Sequence, residues 1–330
     1  MSRLEFYDPE SNRSFSADRC FLCGTSVGET ESEEHVFPKW IQQEFNLWNQ
    51  RLFLLNKTSI PYKSLTIPCC HTCNTKYLSK IETKVSKVYR GGYKEFRNID
   101  ECTLFIWLSK IFYGLLFKEL LLPYNRAEQN NDEKIIPVEI FEQFRMAHYF
   151  LQAARIPLTF KSFVPWSIFI FESQVSEDCK LNFDYRDSFF NLTFGIRMGE
   201  ISIVACLQDN GTQAIVMNEH IKELQSLRLH PCQFTEIFAK TTYKQRLLNR
   251  VPKYITVDSS NGLDVISPPL QGLSTKPVYD EWSQEEYAKY LSTITQLPIE
   301  QIFVPPHLVR SWLHNEDNSL KKIIEDARFR

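Results

Sequence analysis

The sequence predicts an α+β protein in two parts. A zinc-stapled module covers residues 1–97, and a larger mixed domain, in which helices dominate, covers residues 98–330. Three observations carry this. Five of the nine cysteines, including two C-x-x-C pairs, fall between Cys20 and Cys73. The composition turns strongly apolar after Arg97. The hydrophobic spacing then changes between residues 163 and 211, from helical to short runs of β-branched and aromatic residues.

A chain of 330 residues suits two domains, or one large domain with an appended module. Hydrophobic residues at 43% and charged residues at 24% allow a sizeable core. Only 10 glycines occur, so long flexible linkers are not expected. No basic stretch leads into an apolar run at the start, so no signal peptide is expected and the cytoplasm is the default location. The net charge of −2 does not announce a nucleic-acid partner, but its distribution is uneven. From Lys57 to Arg97 there are nine Lys/Arg against two acids, Glu82 and Glu95, a local excess of seven. Such a run reads either as a solvated face or as a phosphate-binding surface.

The elements follow in order. Residues 1–19 form a polar lead-in. Residues 100–122 read as one apolar helix ended by Pro123. Its Lys110, Lys118 and Glu119 argue for a buried core helix over a membrane span, so no membrane partner is expected. A polar loop over 125–134 leads to a second helix over 137–156. Short strands over 167–171, 190–196 and 201–207, with turns at Met198-Gly199-Glu200 and Asp209-Asn210-Gly211, predict a small antiparallel sheet. Residues 218–229 and 234–248 read as helices. Residues 254–257 and 263–266 flank a Ser-Ser-Asn-Gly hairpin turn. Ser283 and Glu286 form a capping-box pattern at the start of another helix, and helical spacing returns from Pro306 to the end.

The chemistry concentrates in two knuckles, Cys20-Phe21-Leu22-Cys23 and Cys70-His71-Thr72-Cys73. Each can supply two thiolates from one tight turn, and four thiolates suit tetrahedral Zn²⁺. Clustered pairs in a chain without a secretion signal read as metal ligands before disulfides. Cys69 or His71 could replace one ligand. The 46 residues between the pairs exceed a compact zinc ribbon, so the metal closes a loop that holds something else. That loop contains Glu34-His35-Val36-Phe37-Pro38, and Asn74 follows the last cysteine.

The ordered set C-x-x-C, Glu-His, C-x-x-C-Asn resembles the HNH, or ββα-metal, endonuclease family. It is most similar to the branch whose structural zinc is bound by two C-x-x-C pairs. The resemblance covers about residues 20–90. It implies two strands and a helix around His35, the general base that takes a proton from water. It implies that Glu34 and Asn74 hold one catalytic divalent ion, Mg²⁺ or Mn²⁺. The family commonly has Asp where Glu34 stands, one methylene shorter. The family's middle Asn, which fixes the base, corresponds to Asn56, between two candidate strands, or to Asn46.

Residues 74–90 read as the helix of that module. Tyr77, Leu78, Ile81, Val85 and Val88 form an apolar stripe. Lys76, Lys80, Lys84 and Lys87 form a second stripe that could carry phosphates. Glu82 lies on the other flank, as a water-mediated member of the site or as a solvated acid. His148, His220, His230, His307 and His314 have no partners at ligand spacing and read as structural or surface residues. Cys102, Cys179, Cys206 and Cys232 read as buried thiols.

The expected activity is therefore metal-dependent hydrolysis of phosphodiester bonds in DNA, with Zn²⁺ structural and Mg²⁺ or Mn²⁺ catalytic. RNA is the alternative substrate, because this chemistry does not use the 2′-OH. A zinc module that binds nucleic acid or protein without catalysis is the second reading. Residues 98–330 would supply target choice, a protein partner, a homodimer contact or control. By architecture alone the chain resembles restriction or phage-defence effectors.

Overall fold

The computed structural model describes residues 6–9, 16–28, 33–122, 141–260 and 262–323. The described chain divides into two compact units. The first comprises Met1–Arg90, Ile99–Thr159 and Asp258–Asp264, and the second comprises Gly91–Asn98, Phe160–Val257 and Val265–Arg330.

The first unit opens with β1 (Glu33–His35), α1 (Lys39–Glu44), β2 (Arg51–Phe53), β3 (Ser59–Pro61) and β4 (Thr66–Pro68). β1 pairs antiparallel with β4, which sets Glu34 opposite Ile67 and His35 opposite Thr66. Between them, β2 and β3 form a separate hairpin. After β4 the chain makes a π-helical turn, Cys73–Leu78, and narrows into α2 (Ser79–Arg90). The apolar stripe faces inward as its spacing predicts: Leu78 and Val85 are buried, and Tyr77, Ile81 and Val88 half-buried.

A short helix, α3 (Tyr93–Phe96), belongs to the second unit, and the chain then returns to the first as α4 (Glu101–Leu120). Asp100 caps α4 by accepting the Thr103 N–H at 2.8 Å. Every residue from Leu104 to Phe117 is buried, as are Glu119 and Leu120, so this helix is enclosed on all sides rather than along one stripe. Gly114 makes the close approach possible: a Cβ there would come within 3.0 Å of Val36 and 3.4 Å of Ile67. α4 thus lies directly against the β1–β4 pair. Two charged residues in its last turn find partners on β4 and on the turn between β2 and β3. Lys118 donates to the Thr66 carbonyl at 3.2 Å, and Glu119 accepts the Leu55 N–H at 2.9 Å. The composition shift at Arg97 therefore marks the core helix of the first unit, which the 97/98 boundary would have cut away from it. α5 (Phe141–Leu151) completes the unit. The expected polar loop over 125–134 and the start of the expected second helix lie outside the described residues. Among the described residues no helix is long and apolar enough to cross a membrane.

After β5 (Leu158–Lys161), the second unit is built on β6 (Ser167–Ser173), β7 (Phe183–Ser188), β8 (Thr193–Met198) and β9 (Ile201–Cys206). α6 (Thr212–Val216), α7 (Asn218–Leu224), β10 (Arg228–Leu229) and α8 (Pro231–Arg246) follow. The sheet order is β10-β6-β9-β8-β7, antiparallel except where β10 meets β6. α8 packs on it through Phe234, Ile237 and Phe238 against Phe169, Phe171 and Val204. The predicted strand over 190–196 begins at Thr193, after a 3₁₀ turn that ends on Leu192 at φ 49°.

β11 (Ile255–Ser259) and β12 (Gly262–Ile266) are hydrogen-bonded neighbours, as the turn signal predicts. Ser283 caps α9 (Gln284–Thr295), accepting from Glu286 N. The expected C-terminal helix from Pro306 is not found among the described residues. After α10 (Ile299–Ile302), β13 (Phe303–Val304) pairs with β14 (Leu308–Val309) across the Pro305-Pro306 turn, where two prolines remove helical N–H donors.

Candidate functional site

The two knuckles come together. The ligand atoms of Cys20, Cys23, Cys70 and Cys73 all lie within 4.8 Å of one another. Cys23 Sγ and Cys70 Sγ are 3.7 Å apart, and a tetrahedral site with Zn–S bonds of about 2.3 Å has S···S edges of about 3.8 Å. The donor set and spacing therefore fit a metal such as zinc. Local backbone builds each knuckle. Gly24 takes φ 72° and donates to the Cys20 carbonyl at 2.8 Å. Cys73 N–H points to Cys70 Sγ at 3.5 Å. α5 clamps the first knuckle from behind: His148 Nε2–H donates to the Phe21 carbonyl at 2.9 Å, and Gln152 donates to the Leu22 carbonyl at 2.8 Å. Burial pushes His148 down to about 4, so the ring is neutral near pH 7 and serves as a strut.

The second knuckle leads straight into an open cleft of about 680 Å³. Its walls include Glu33, Glu34 and His35 of β1, Lys39 and Trp40 of α1, Asn74 of the π turn, and Ser79, Glu82, Thr83, Ser86, Lys87 and Arg90 of α2. The β1–α2 junction is fixed by Asn74, whose side-chain amide donates to the Glu33 carbonyl at 3.2 Å. His35 stacks on Trp48, with ring centroids 5.8 Å apart. Burial, helped by the positive charges of Lys39 and Lys110, lowers the His35 pKa, so its imidazole is neutral and able to take a proton near pH 7.

Behind the cleft wall, against Glu34 and Glu82, lies Lys110, on α4 one turn before Gly114 and on the same face. Its side chain is 2% exposed. Its ammonium pairs with Glu34, sits 2.7 Å from Glu82 Oε1, and donates to the His35 and Val36 carbonyls at 2.8 and 3.2 Å. Burial pushes the Glu34 carboxyl up to about 7, against the pull of Lys110 and with the added push of Glu82. Burial opposes the Lys110 charge, but the two carboxylates outweigh it and its pKa ends raised. Such a group tolerates burial only because its partners are in place.

The residues read from sequence thus divide. Glu34, His35, Asn74 and Glu82 meet in the cleft, and Lys87 lines it. Lys76, Lys80 and Lys84 are exposed on the helical segment beside it. Asn56 is elsewhere: it turns the β2–β3 hairpin, its Oδ1 accepting the Thr58 N–H at 2.9 Å, and it is not among the cleft-lining residues. Asn46 sits at φ 50° after α1. Sequence reasoning passed over Lys39, Arg90, Trp48 and, above all, Lys110. One signal was available for Lys110: a lysine buried in the middle of an apolar helix calls for a charged partner. Glu34 does not fit as a direct metal ligand here, since it is 5% exposed and its carboxylate is held by Lys110. No protein-family model, no curated protein and no solved structure matches the chain.

Proposed function

We propose that the first unit is an HNH-type nuclease module that hydrolyses phosphodiester bonds in DNA. The observation that supports this best is the convergence of His35, Asn74 and Glu82 with three cations, Lys39, Lys87 and Arg90, on one open cleft. The strand–strand–helix order of β1, β4 and α2 and the cysteine cluster beside Asn74 agree with the resemblance read from the sequence. Cys20, Cys23, Cys70 and Cys73 would hold one zinc ion, which ties the two knuckles and takes no part in the reaction.

In this reading Lys39, Lys87 and Arg90 hold the phosphates of the strand. His35 takes a proton from water. The water oxygen attacks phosphorus, the bond to the leaving sugar oxygen breaks, and that oxygen is protonated from solvent. Asn74 fixes the β1 backbone on which His35 sits. A divalent ion on Glu34 is not part of this reading, because that carboxylate is engaged by Lys110. The same engagement favours the second reading, a module that binds nucleic acid without cutting it. Incubation of the purified chain with supercoiled plasmid, single-stranded DNA and RNA decides between them. Cleavage lost in His35→Ala supports the nuclease. Binding of all three substrates without product, in parent and variant alike, supports the binder.

A further inference from the structure

We propose that Lys110 is an internal cation that takes the place of a divalent ion between Glu34 and Glu82, so any divalent ion entering the cleft is held without those two carboxylates. The geometry is that of a filled site. An ammonium has three N–H donors. Around Lys110 Nζ stand four oxygen acceptors: the Glu34 and Glu82 carboxylates and the His35 and Val36 carbonyls. Glu34 and Glu82 both pair with this one ammonium, so the two carboxyls share the space around one positive charge. A divalent ion bonded to both would need the position that Nζ holds.

The ammonium has nowhere else to go. Its side chain is 2% exposed, and Leu104, Phe105, Ile106, Trp107, Leu108 and Ile111 around it on α4 are all buried. Moving the charge into that surrounding would strip it of every partner. By contrast, Glu33 is exposed at the cleft and Asn74 lies beside it, Asn74 Nδ2 donating to the Glu33 carbonyl. Both line the cleft and carry side-chain oxygens outside the Lys110 cluster. Lys110 also bears on the base. It grips the His35 carbonyl while Trp48 stacks on the ring, so the buried ion cluster positions the imidazole.

The place of a metal is read directly, whether or not the cleft cuts nucleic acid, so this inference and the nuclease reading fail separately. Crystals of the full chain, soaked in millimolar MnCl₂, locate manganese by its anomalous signal. The expected map has no peak bonded to Glu34 or Glu82, and Lys110 stays in place. A peak between the two carboxylates with Lys110 displaced overturns the proposal. In solution, Mn²⁺ titration followed by electron paramagnetic resonance compares parent, Glu34→Gln and Lys110→Met. Glu34→Gln should match the parent within about twofold, and Lys110→Met, which frees both carboxylates, should bind at least about tenfold more tightly. A tenfold loss in Glu34→Gln would mean that Glu34 is a ligand after all. If the variants do not fold, the soaked parent crystal still decides.

Discussion

The two units bury charge in opposite ways. In the second unit Glu236 is fully buried on α8, and its carboxylate is closed over: Ser311 Oγ donates at 2.6 Å, Trp312 N at 2.5 Å, and Lys240 stands at 3.2 Å. That carboxylate pins the C-terminal segment to a sheet-and-helix core. In the first unit, Lys110, Glu34 and Glu82 meet at the wall of an open cleft lined by a neutral histidine and three cations. The supporting strands are only three residues long, and a cysteine cluster that could hold a metal lies beside them. A buried charge sealed on every side is structure. A buried charge that opens on solvent beside a base is the better place to look for chemistry.

The largest test of this contrast removes the cysteine cluster. Structural zinc contributes on the order of 10 kcal/mol to small modules that depend on it. Cys73→Ser, or a strong chelator, should abolish amide-exchange protection in β1, β4 and α2, while β6, β8 and β9 keep theirs. Unchanged protection in the first unit would mean that its core stands without the metal.

The second test separates base from scaffold. His35→Ala should lower cleavage by about 10² to 10⁴ while the melting temperature stays near that of the parent. The pH profile gives a sharper reading. A general base works unprotonated, so the rate falls as pH drops through its pKa. Because burial lowers that pKa from its ordinary 6.5, the acid limb should lie below pH 6.5. An acid limb centred above pH 6.5 would point to another base.

How much of this was legible differs between the parts for physical reasons. C-x-x-C pairs set two thiols at fixed spacing, so the grouping of the four cysteines could be read from the chain alone, and His35 and Asn74 line the adjoining cleft. α4 was visible because a helix buried on all sides is apolar on all sides. The role of Lys110 was not, since its partners Glu34 and Glu82 are 76 and 28 positions away and meet it only where α4 packs on β1 and α2. β7 was missed because all its residues after Phe183 are half-buried, which erases the alternation that marks a strand. The C-terminal pattern misleads because apolar spacing around Leu308 and Val309 suits a helical face, while the strand pair β13–β14 uses the same residues.

The third and fourth tests set the two buried charges against each other. Lys110→Met keeps the aliphatic stem but leaves two carboxyls without their cation. Removing one partner of a buried ion cluster costs about 3–5 kcal/mol, which a shift in the urea midpoint would report. A cost below about 1 kcal/mol would show that the ammonium is dispensable. Glu236→Gln loses a charge but keeps an acceptor for Ser311 and Trp312. It should cost about 1–3 kcal/mol, from weakened hydrogen bonds to a buried group, and leave cleavage untouched. A cleavage defect there would break the distinction between the sealed carboxylate and the open one.

The smallest effect concerns how the cleft meets its substrate. Lys87 lines the cleft, while Lys80 and Lys84 are exposed on the same helix beside it. Every phosphate that a side chain ceases to neutralise on duplex DNA should reduce the slope of log K against log[salt] by about 0.9. Changing Lys80, Lys84 and Lys87 together to Gln should therefore flatten the slope by about two to three units if all three touch phosphates. The structure makes a finer distinction possible, because Arg90 shares the cleft wall with Lys87. If the cleft is the whole binding surface, Lys87→Gln with Arg90→Gln should remove about two units of slope, and Lys80→Gln with Lys84→Gln should remove almost none. Equal reductions in the two pairs would extend the surface along the exposed face of α2. Two unchanged slopes would leave these residues as ordinary solvated cations and move the binding surface off this helix.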